Sequence, residues 1–386
     1  MRRLSSLGIY NMPNVGRNVS IELKPDNSFL ILTGYNGSGK SRVISSLLET
    51  LAMVRDHDYS SIGHDWVMSV KFEDGIEVRS IKMDRGNIPH EKITSKIGSI
   101  MSKRHSLSQT FNEAETFIKS GKDKTLYSGS KSDNETRNRS FCGAILFDLT
   151  EPEEEFVSSL GVVAYINDNI YFNHERKLEN AVLKRGVNLD DTLLVLTTEF
   201  ISSSTVKEVV KDKIEHSVQE IMTEYLSLSK KNKTKASETN AIEYVAARIN
   251  AESILQDGDS LFSRNELFVT LNKFFKTTKR KLVWRNNMIC LELSDGLIVE
   301  WFYFSKGEKA LLALFLMVYL YRDSSIFLLD EPEVSLHVEW QKMIFPALQS
   351  IAPNSQFIVA THSPFLVMNT GREQIVNMAK FGMDTK

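Results

Sequence analysis

An α/β fold with a helical insertion follows from three stretches of this sequence. In the first, an apolar run (Phe29, Leu30, Ile31, Leu32) leads into Gly34–Ser41 (GYNGSGKS), followed by helix-like Val43, Ile44, Leu47 and Leu48. In the second, SIFLLDEPE (Ser325–Glu333), an apolar run stops abruptly at Asp330 and Glu331. In the third, QFIVATHSP (Gln356–Pro364), a similar run stops at His362. Short apolar runs that end in polar residues read as buried strands of a parallel sheet, with chemistry at their carboxyl ends.

The whole chain sets bounds on the reading. Its 386 residues allow two or three domains, and 42% hydrophobic content is ample for a packed core. A net charge of −2 leaves no global footprint for nucleic acid, so any basic surface must be local. The two cysteines, Cys142 and Cys290, lack metal spacing and read as inert core residues. The N-terminus carries basic residues but no apolar segment of the kind a signal peptide needs. The longest apolar run, Ala310–Tyr321, has 12 residues, too few to span a bilayer. The expectation is a soluble cytoplasmic protein with no membrane partner.

In chain order, Leu7–Tyr10 and Val19–Leu23 read as strands before the run into GYNGSGKS. Val67–Met83 alternates on both sides of Asp74-Gly75 and predicts a hairpin. Residues 94–140 are rich in Ser, Lys, Asn and Thr and predict a long, partly mobile insertion. Phe141–Leu149 and Leu160–Ile166 read as strands. Residues 191–256 are helical in period: Val206, Val210, Ile214, Val218, Ile221, Tyr225 and Leu228 form one stripe, and a polar break over 229–240 separates it from a second helix. Met288–Val299 predicts another hairpin at Asp295-Gly296, and FSKGEK (Phe304–Lys309) opens the most apolar helix in the chain. Three parts result: 1–190 as the N-terminal part of the core, 191–284 as a helical lid or arm, and 285–386 as the C-terminal part of the core.

The residue types explain the chemistry expected. GYNGSGKS fits G-x-x-x-x-G-K-[ST] with Gly34, Gly39, Lys40 and Ser41 in the fixed places. Glycines let backbone N–H groups curl around phosphate oxygens, and the following helix points its positive end at the same charge. Asn36, Gly37, Ser38, Gly39, Lys40, Ser41 and Arg42 are therefore the candidate nucleotide contacts, with Lys40 on the outer phosphates. Mg²⁺ is expected on Ser41 and Asp330. Glu331 is expected to orient and deprotonate the attacking water. His362, at a third strand end of the same sheet, is expected to contact the γ-phosphate. Ser305, Gly307 and Glu308 sit at a helix N-terminus, which reads either as an anion-binding end or as an ordinary capping box.

Taken in order, the phosphate loop, S-x-G-E-K, DEPE-x-x-L-H and ATHSP resemble the ABC-type ATPase heads of the SMC/Rad50/RecF and OLD group. They are similar above all to stand-alone ATPases called AAA-15 or AAA-21. The resemblance covers 1–50 and 285–365. It implies an ABC-type P-loop core of mixed and parallel sheet with flanking helices, and the cofactors ATP and Mg²⁺. It also implies a head-to-tail homo-oligomer, a dimer or higher, in which two heads sandwich ATP. Lys40, Ser41, Asp330, Glu331 and His362 would then act from one copy, and Ser305 and Gly307 from the other. Glu333–His337 matches the segment that crosses such an interface. The 265 residues from Lys40 to Ser305 separate the chain from transporter ATPases. The family's Q-loop glutamine has only weak candidates here, Gln109 and Gln219. Just 22 residues follow Pro364, so the metal-nuclease domain of OLD nucleases is not expected there.

Two functions compete. In the first, ATP controls a separately encoded effector, a nuclease or toxin, in anti-phage defence of the PARIS, Septu or retron kinds. In the second, the chain is a DNA-associated ATPase of repair or recombination. DNA binding would draw on Lys273–Arg285 (KFFKTTKRKLVWR), where basic residues interleave with Phe274, Phe275 and Trp284. The competing reading of that stretch is a core element with a solvated basic face. An OLD-type nuclease is the third and weakest reading.

Overall fold

A computed structural model describes residues 2–11, 18–24, 27–56, 65–84, 88–122, 140–166, 169–172, 188–204, 265–285, 288–324, 326–368 and 375–382. Its centre is a six-stranded sheet in the order β14-β3-β13-β12-β7-β8. The strands are β3 (Phe29–Thr33), β7 (Val162–Ile166), β8 (Asn169–Phe172), β12 (Ile326–Asp330), β13 (Gln356–Ala360) and β14 (Ile375–Asn377). All pair in parallel except β7 with β8.

These strands read as continuous apolar runs because both faces of the sheet are covered. Alternate residues enter different cores. Phe29, Ile31, Phe327, Leu329, Phe357 and Val359 face a core built with four helices: α5 (Leu189–Ser204), α6 (Glu266–Lys276), α7 (Lys306–Leu320) and α8 (Val338–Ile351). Leu30, Leu32, Leu328, Ile358 and Ala360 face α1 (Lys40–Asp56) through Val43, Ile44, Leu47 and Leu51. A side-chain period of two thus sorts one set of strands into two cores.

The far side of α1 is closed by a five-stranded antiparallel sheet, β2-β1-β4-β5-β6. It contains β1 (Leu4–Tyr10), β2 (Asn18–Glu22), β4 (Trp66–Phe72), β5 (Glu77–Asp84) and β6 (Ser140–Phe147). Gln356 ties the two sheets together. Its side-chain oxygen accepts from Leu4 N (2.8 Å) and its amide donates to Leu4 O (3.0 Å), much as a neighbouring strand would. The hairpins at Asp74-Gly75 and Asp295-Gly296 form as expected, the latter joining β10 (Met288–Glu292) to β11 (Ile298–Glu300), with β9 (Lys281–Arg285) beyond.

Residues 94–122, part of the stretch 94–140 expected to be a long, partly mobile insertion, hold regular structure, and 123–139 lie outside the described residues. Helices α2 (His90–Met101) and α3 (Leu107–Lys122) occupy most of 94–122 and cover the outer face of the antiparallel sheet. Ile93, Ile97, Ile100, Phe111, Ala114 and Ile118 recur at helical spacing and pack on Val67, Ile81 and Phe141. The surrounding lysines and serines hide that period. The helical stripe expected from Val206 onward, and the break at 229–240, lie outside the described residues. Short helices α4 (Glu153–Ser159) and α9 (Pro364–Val367) follow β6 and β13. Among the described residues, no helix is long and apolar enough to cross a membrane.

Candidate functional site

Register brings the site together. Leu32 pairs with Ala360, and Ala360 with Asp330, so β3, β13 and β12 end level with one another. Gly34, Thr361 and Glu331 therefore open three adjacent loops at one sheet edge, where ligands of open α/β sheets bind.

The first loop needs its glycines. Gly34, Gly37 and Gly39 have φ of 136°, 81° and 91°, in the left-handed region. A Cβ on Gly34 would come within 2.7 Å of Ser38 Oγ. Ser38 is itself buried, and its hydroxyl finds no hydrogen-bond partner among the described residues. Asn36 and Gly37 are exposed at the rim, and Arg42 is half-buried on the first turn of α1. Lys40 is buried, and its ammonium donates to the carbonyls of Gly34 (3.1 Å) and Tyr35 (3.2 Å). Burial pushes its pKa down, while Glu331, Asp330 and Glu333 pull the other way. An amine held only by loop carbonyls can transfer to phosphate oxygens without breaking an ion pair.

The second loop supplies the acids. Asp330 is buried, and Ser41 Oγ donates to its Oδ1 at 2.9 Å. Burial raises the Asp330 pKa to about 6; the Ser41 bond and Lys40 oppose the rise, and the charge of Glu331 adds to it. A hydroxyl and a carboxylate side by side are the hard oxygen donors that suit Mg²⁺. Glu331 holds a positive φ of 51°, unusual for a residue with a side chain, while its N–H donates to Ala360 O (2.8 Å) and extends the ladder past the strand. Such strain gathers where a side chain must be aimed.

The third loop brings His362, whose Nε2 lies 3.5 Å from Glu331 Oε1, with both side chains open to solvent. Glu333 underlies this loop. Its buried Oε1 accepts from Thr361 Oγ1 (2.5 Å), His362 N (3.1 Å) and Ser363 N (3.2 Å). Burial also raises the Glu333 pKa, and these hydrogen bonds oppose the rise.

Ser305, Gly307 and Glu308 are placed differently. Ser305 caps α7 in a reciprocal capping box with Glu308. Glu308 is buried, with its other oxygen in an ion pair with Arg280. Its carboxylate serves the helix start and Arg280, so Glu308 is not offered to a nucleotide. A Cβ on Gly307 would stand 2.4 Å from Ser335 O, which fixes the glycine by close approach.

Other expectations resolve as follows. Gln109 caps α3, accepting from Ser106 N (3.2 Å), while Gln219 lies outside the described residues. Of the segment Glu333–His337, Glu333 and Leu336 turn inward, and Val334, Ser335 and His337 are exposed. Cys142 and Cys290 are buried, with burial pushing both thiols up to about 12, so neither is reactive. Phe274, Phe275 and Trp284 are buried as well. Phe274 packs on Phe315 and Phe275 on Trp340, so these rings offer no stacking platform for bases. The structure adds roles for Glu333, Gln341 and Arg280 that no spacing in the sequence signals.

The chain is similar to known ATPases. The family described as "AAA domain, putative AbiEii toxin, Type IV TA system" matches residues 168–369, just over half of the chain. That span includes Ser305, Asp330, Glu331 and His362 and leaves the phosphate loop outside it. The "Retron Vc95 probable ATPase" of Vibrio cholerae serotype O1 biovar El Tor is 24% identical over 394 residues, covering 97% of this chain and 73% of the relative. The "Retron Ec83 probable ATPase" of Escherichia coli is 37% identical over 94 residues, covering 21% of this chain and 17% of the relative. Among solved structures, the Pyrococcus furiosus Smc head bound to the C-terminal domain of ScpA has 16% identity and a TM-score of 0.43, covering 98% of this chain and 96% of that one. RecF of the RecFOR pathway has 12% identity and a TM-score of 0.36, covering 97% of this chain and 98% of that one. With both TM-scores below 0.5, the fold rests on the strand order above.

Proposed function

We propose that this chain, which belongs to the AAA-domain family of ATPases, is a Mg²⁺-dependent switch whose nucleotide state controls a separately encoded effector. The effector class is a nuclease or toxin, and the setting is anti-phage defence, a reading supported by the retron names of its relatives. The observation that carries the ATP chemistry is the Ser41–Asp330 pair at 2.9 Å, set beside buried Lys40 and the Glu331–His362 pair.

In this reading Lys40 leaves the carbonyls of Gly34 and Tyr35 for the outer phosphates of ATP. Ser41 and Asp330 would hold Mg²⁺, which would supply positive charge to neutralise the phosphates. Glu331 takes a proton from water as that water's oxygen bonds to the γ-phosphorus. The bond to the β–γ bridging oxygen breaks, and ADP leaves with its electron pair. His362 donates a hydrogen bond to the transferred group. Residues 1–190 and 285–386 supply most of this core, and α5, α6 and β9, from the stretch 191–284 that the sequence suggested as an arm, pack into it as well.

The assembly is a head-to-tail homo-oligomer in which Ser305 and Gly307 meet the nucleotide of a neighbouring copy. The distribution of exposed apolar side chains supports it. Of eight exposed large apolar side chains among the described residues, Tyr35 (57% exposed), Tyr303 (65%), Val334, Val338 and Met368 (70%) lie within about seven residues in sequence of the phosphate loop, Ser305, the acidic loop or His362, while Val269, Leu297 and Ile298 lie elsewhere. Exposed apolar groups next to these loops suit a surface that another copy covers.

The test is the native mass of Glu331→Gln, alone and with the product of its gene neighbour, with and without ATP and Mg²⁺. Nucleotide-driven oligomerisation, or a changed retention of the neighbour, supports the switch. A monomer under every condition refutes it. DNA-stimulated hydrolysis with steep salt dependence would favour the repair ATPase instead, which the buried rings of 273–285 do not support.

A further inference from the structure

We propose that Glu333 is a positioning residue for hydrolysis, fixing the His362 loop against the Glu331 loop so that the two exposed side chains stay in reach of each other. The proposal rests on the catalytic reading of Glu331 and His362 given above.

Glu333 lies two residues after Glu331, yet its side chain turns away from it into the interior, with 7% of its surface exposed. One carboxylate oxygen accepts from three consecutive residues of the other loop: Thr361 Oγ1 (2.5 Å), His362 N (3.1 Å) and Ser363 N (3.2 Å). The second oxygen is buried without a hydrogen-bond partner among the described residues. A buried carboxyl that leaves half of its acceptors unused is a costly way to satisfy one loop. That cost makes sense where the loop must hold one position. A second tie joins the same two segments. Gln341 Nε2 donates to Leu336 O (3.0 Å), while its Oε1 accepts from Ser363 Oγ (2.6 Å). Ser363 Oγ in turn caps α9 by accepting from Phe365 N (3.1 Å). The His362 loop is thus held on the side of Thr361 and on the side of Ser363, and only the His362 ring is left free to face Glu331 at 3.5 Å. A buried Glu333 cannot reach a neighbouring copy, so its role is internal to the site.

The experiment measures kcat and KM for ATP in the full chain for Glu333→Ala, Glu333→Gln, His362→Ala and the Glu333→Ala/His362→Ala pair, with melting temperature recorded for each. Glu333→Ala should lower kcat roughly 10- to 100-fold with KM little changed, because a shifted group misplaces chemistry more than it loosens phosphate binding. Glu333→Gln keeps the accepting oxygen and sets its amide where no partner is lost, so kcat should stay within about threefold of the parent. With His362 already removed, Glu333→Ala should cost nothing further. A Glu333→Ala protein at parental kcat, a Glu333→Gln protein as slow as Glu333→Ala, or losses that multiply in the pair would each overturn the proposal. If His362→Ala alone retains full turnover, the catalytic reading of His362 fails, and the proposal with it. If His362→Ala is slow while Glu333→Ala is not, only the proposal fails.

Discussion

Two helices in this protein begin where a nucleotide ligand was expected, and their N-termini differ in how complete they are. At the start of α1, Ser38 Oγ is buried without a partner among the described residues, Lys40 is held by two loop carbonyls, and Asp330 is buried beside Glu331. At the start of α7, Ser305 and Glu308 satisfy each other, and Arg280 neutralises Glu308. The first end has polar groups that a phosphate and a cation would complete. The second is finished without a ligand, so any part it plays in hydrolysis must be added from outside its own chain. The difference separates a helix start that a ligand would complete from one whose own chain already satisfies it.

The largest expected effect lies at the first end. Glu331→Gln should lower kcat by about 10²–10⁴-fold while ATP binding persists, since a positioned base contributes on that order and the phosphate loop is untouched. Single-turnover hydrolysis beside fluorescent-nucleotide binding checks both halves. If binding falls along with turnover, Glu331 belongs to the phosphate cradle.

Next comes the stability cost of that unfinished site. In metal-free protein, burial raises the Asp330 carboxyl from 3.8 to about 6. Between those values the folded state holds a proton that the unfolded state has lost, so stability falls as pH rises through the window. Asp330→Asn removes the ionising group and leaves an oxygen for the Ser41 hydroxyl. At about pH 7.5 it should gain roughly 1–3 kcal/mol, shrinking towards zero below about pH 4. Thermal melts across that range test the sign. A gain that does not change with pH would mean that burial of the charge is not the cause.

The complete end is sensitive to size. Gly307→Ala would drive a methyl into Ser335 O, 2.4 Å away, and should cost about 1–3 kcal/mol. Ser335 sits at a positive φ of 70°, so its loop has little freedom to retreat. Chemical denaturation measures the loss, and a neutral outcome would show that the acidic loop and the start of α7 yield independently.

This contrast bears on what could be read in the sequence. The strands β3, β12 and β13 were legible because a parallel sheet covered on both faces leaves unbroken apolar runs with polar stops. Lys40, Ser41, Asp330, Glu331 and His362 followed from those stops. The α2–α3 pair was not legible, because a stripe of three or four buried apolar residues per helix among lysines and serines gives a weak period. Lys273–Arg285 follows its reading as a core element with a solvated basic face: Phe274, Phe275 and Trp284 are buried, and Lys273, Lys276, Lys279 and Lys281 are exposed. It crosses from the end of α6 into β9, so charged and aromatic residues that alternate along the chain part to opposite sides of it. Glu333 and Arg280 were invisible because each is defined by a partner distant in sequence, Thr361–Ser363 and Glu308.

The smallest effect on stability decides most about the second end. As a helix cap, Ser305 should cost about 0.5–2 kcal/mol when changed to alanine, whatever the assembly. Hydrolysis gives the discriminating signal. If Ser305 serves a neighbouring copy, Ser305→Ala and Lys40→Ala should each be inactive alone. Mixed in equal amounts, they should recover roughly a quarter of parental activity, because half of the head-to-tail pairs are then mixed and each holds one intact site. If Ser305 is only a cap, Ser305→Ala keeps its turnover, and adding the Lys40→Ala protein changes nothing. Recovery on mixing depends on an intact Lys40 and an intact Ser305 meeting across two chains, which no arrangement within a single copy can reproduce.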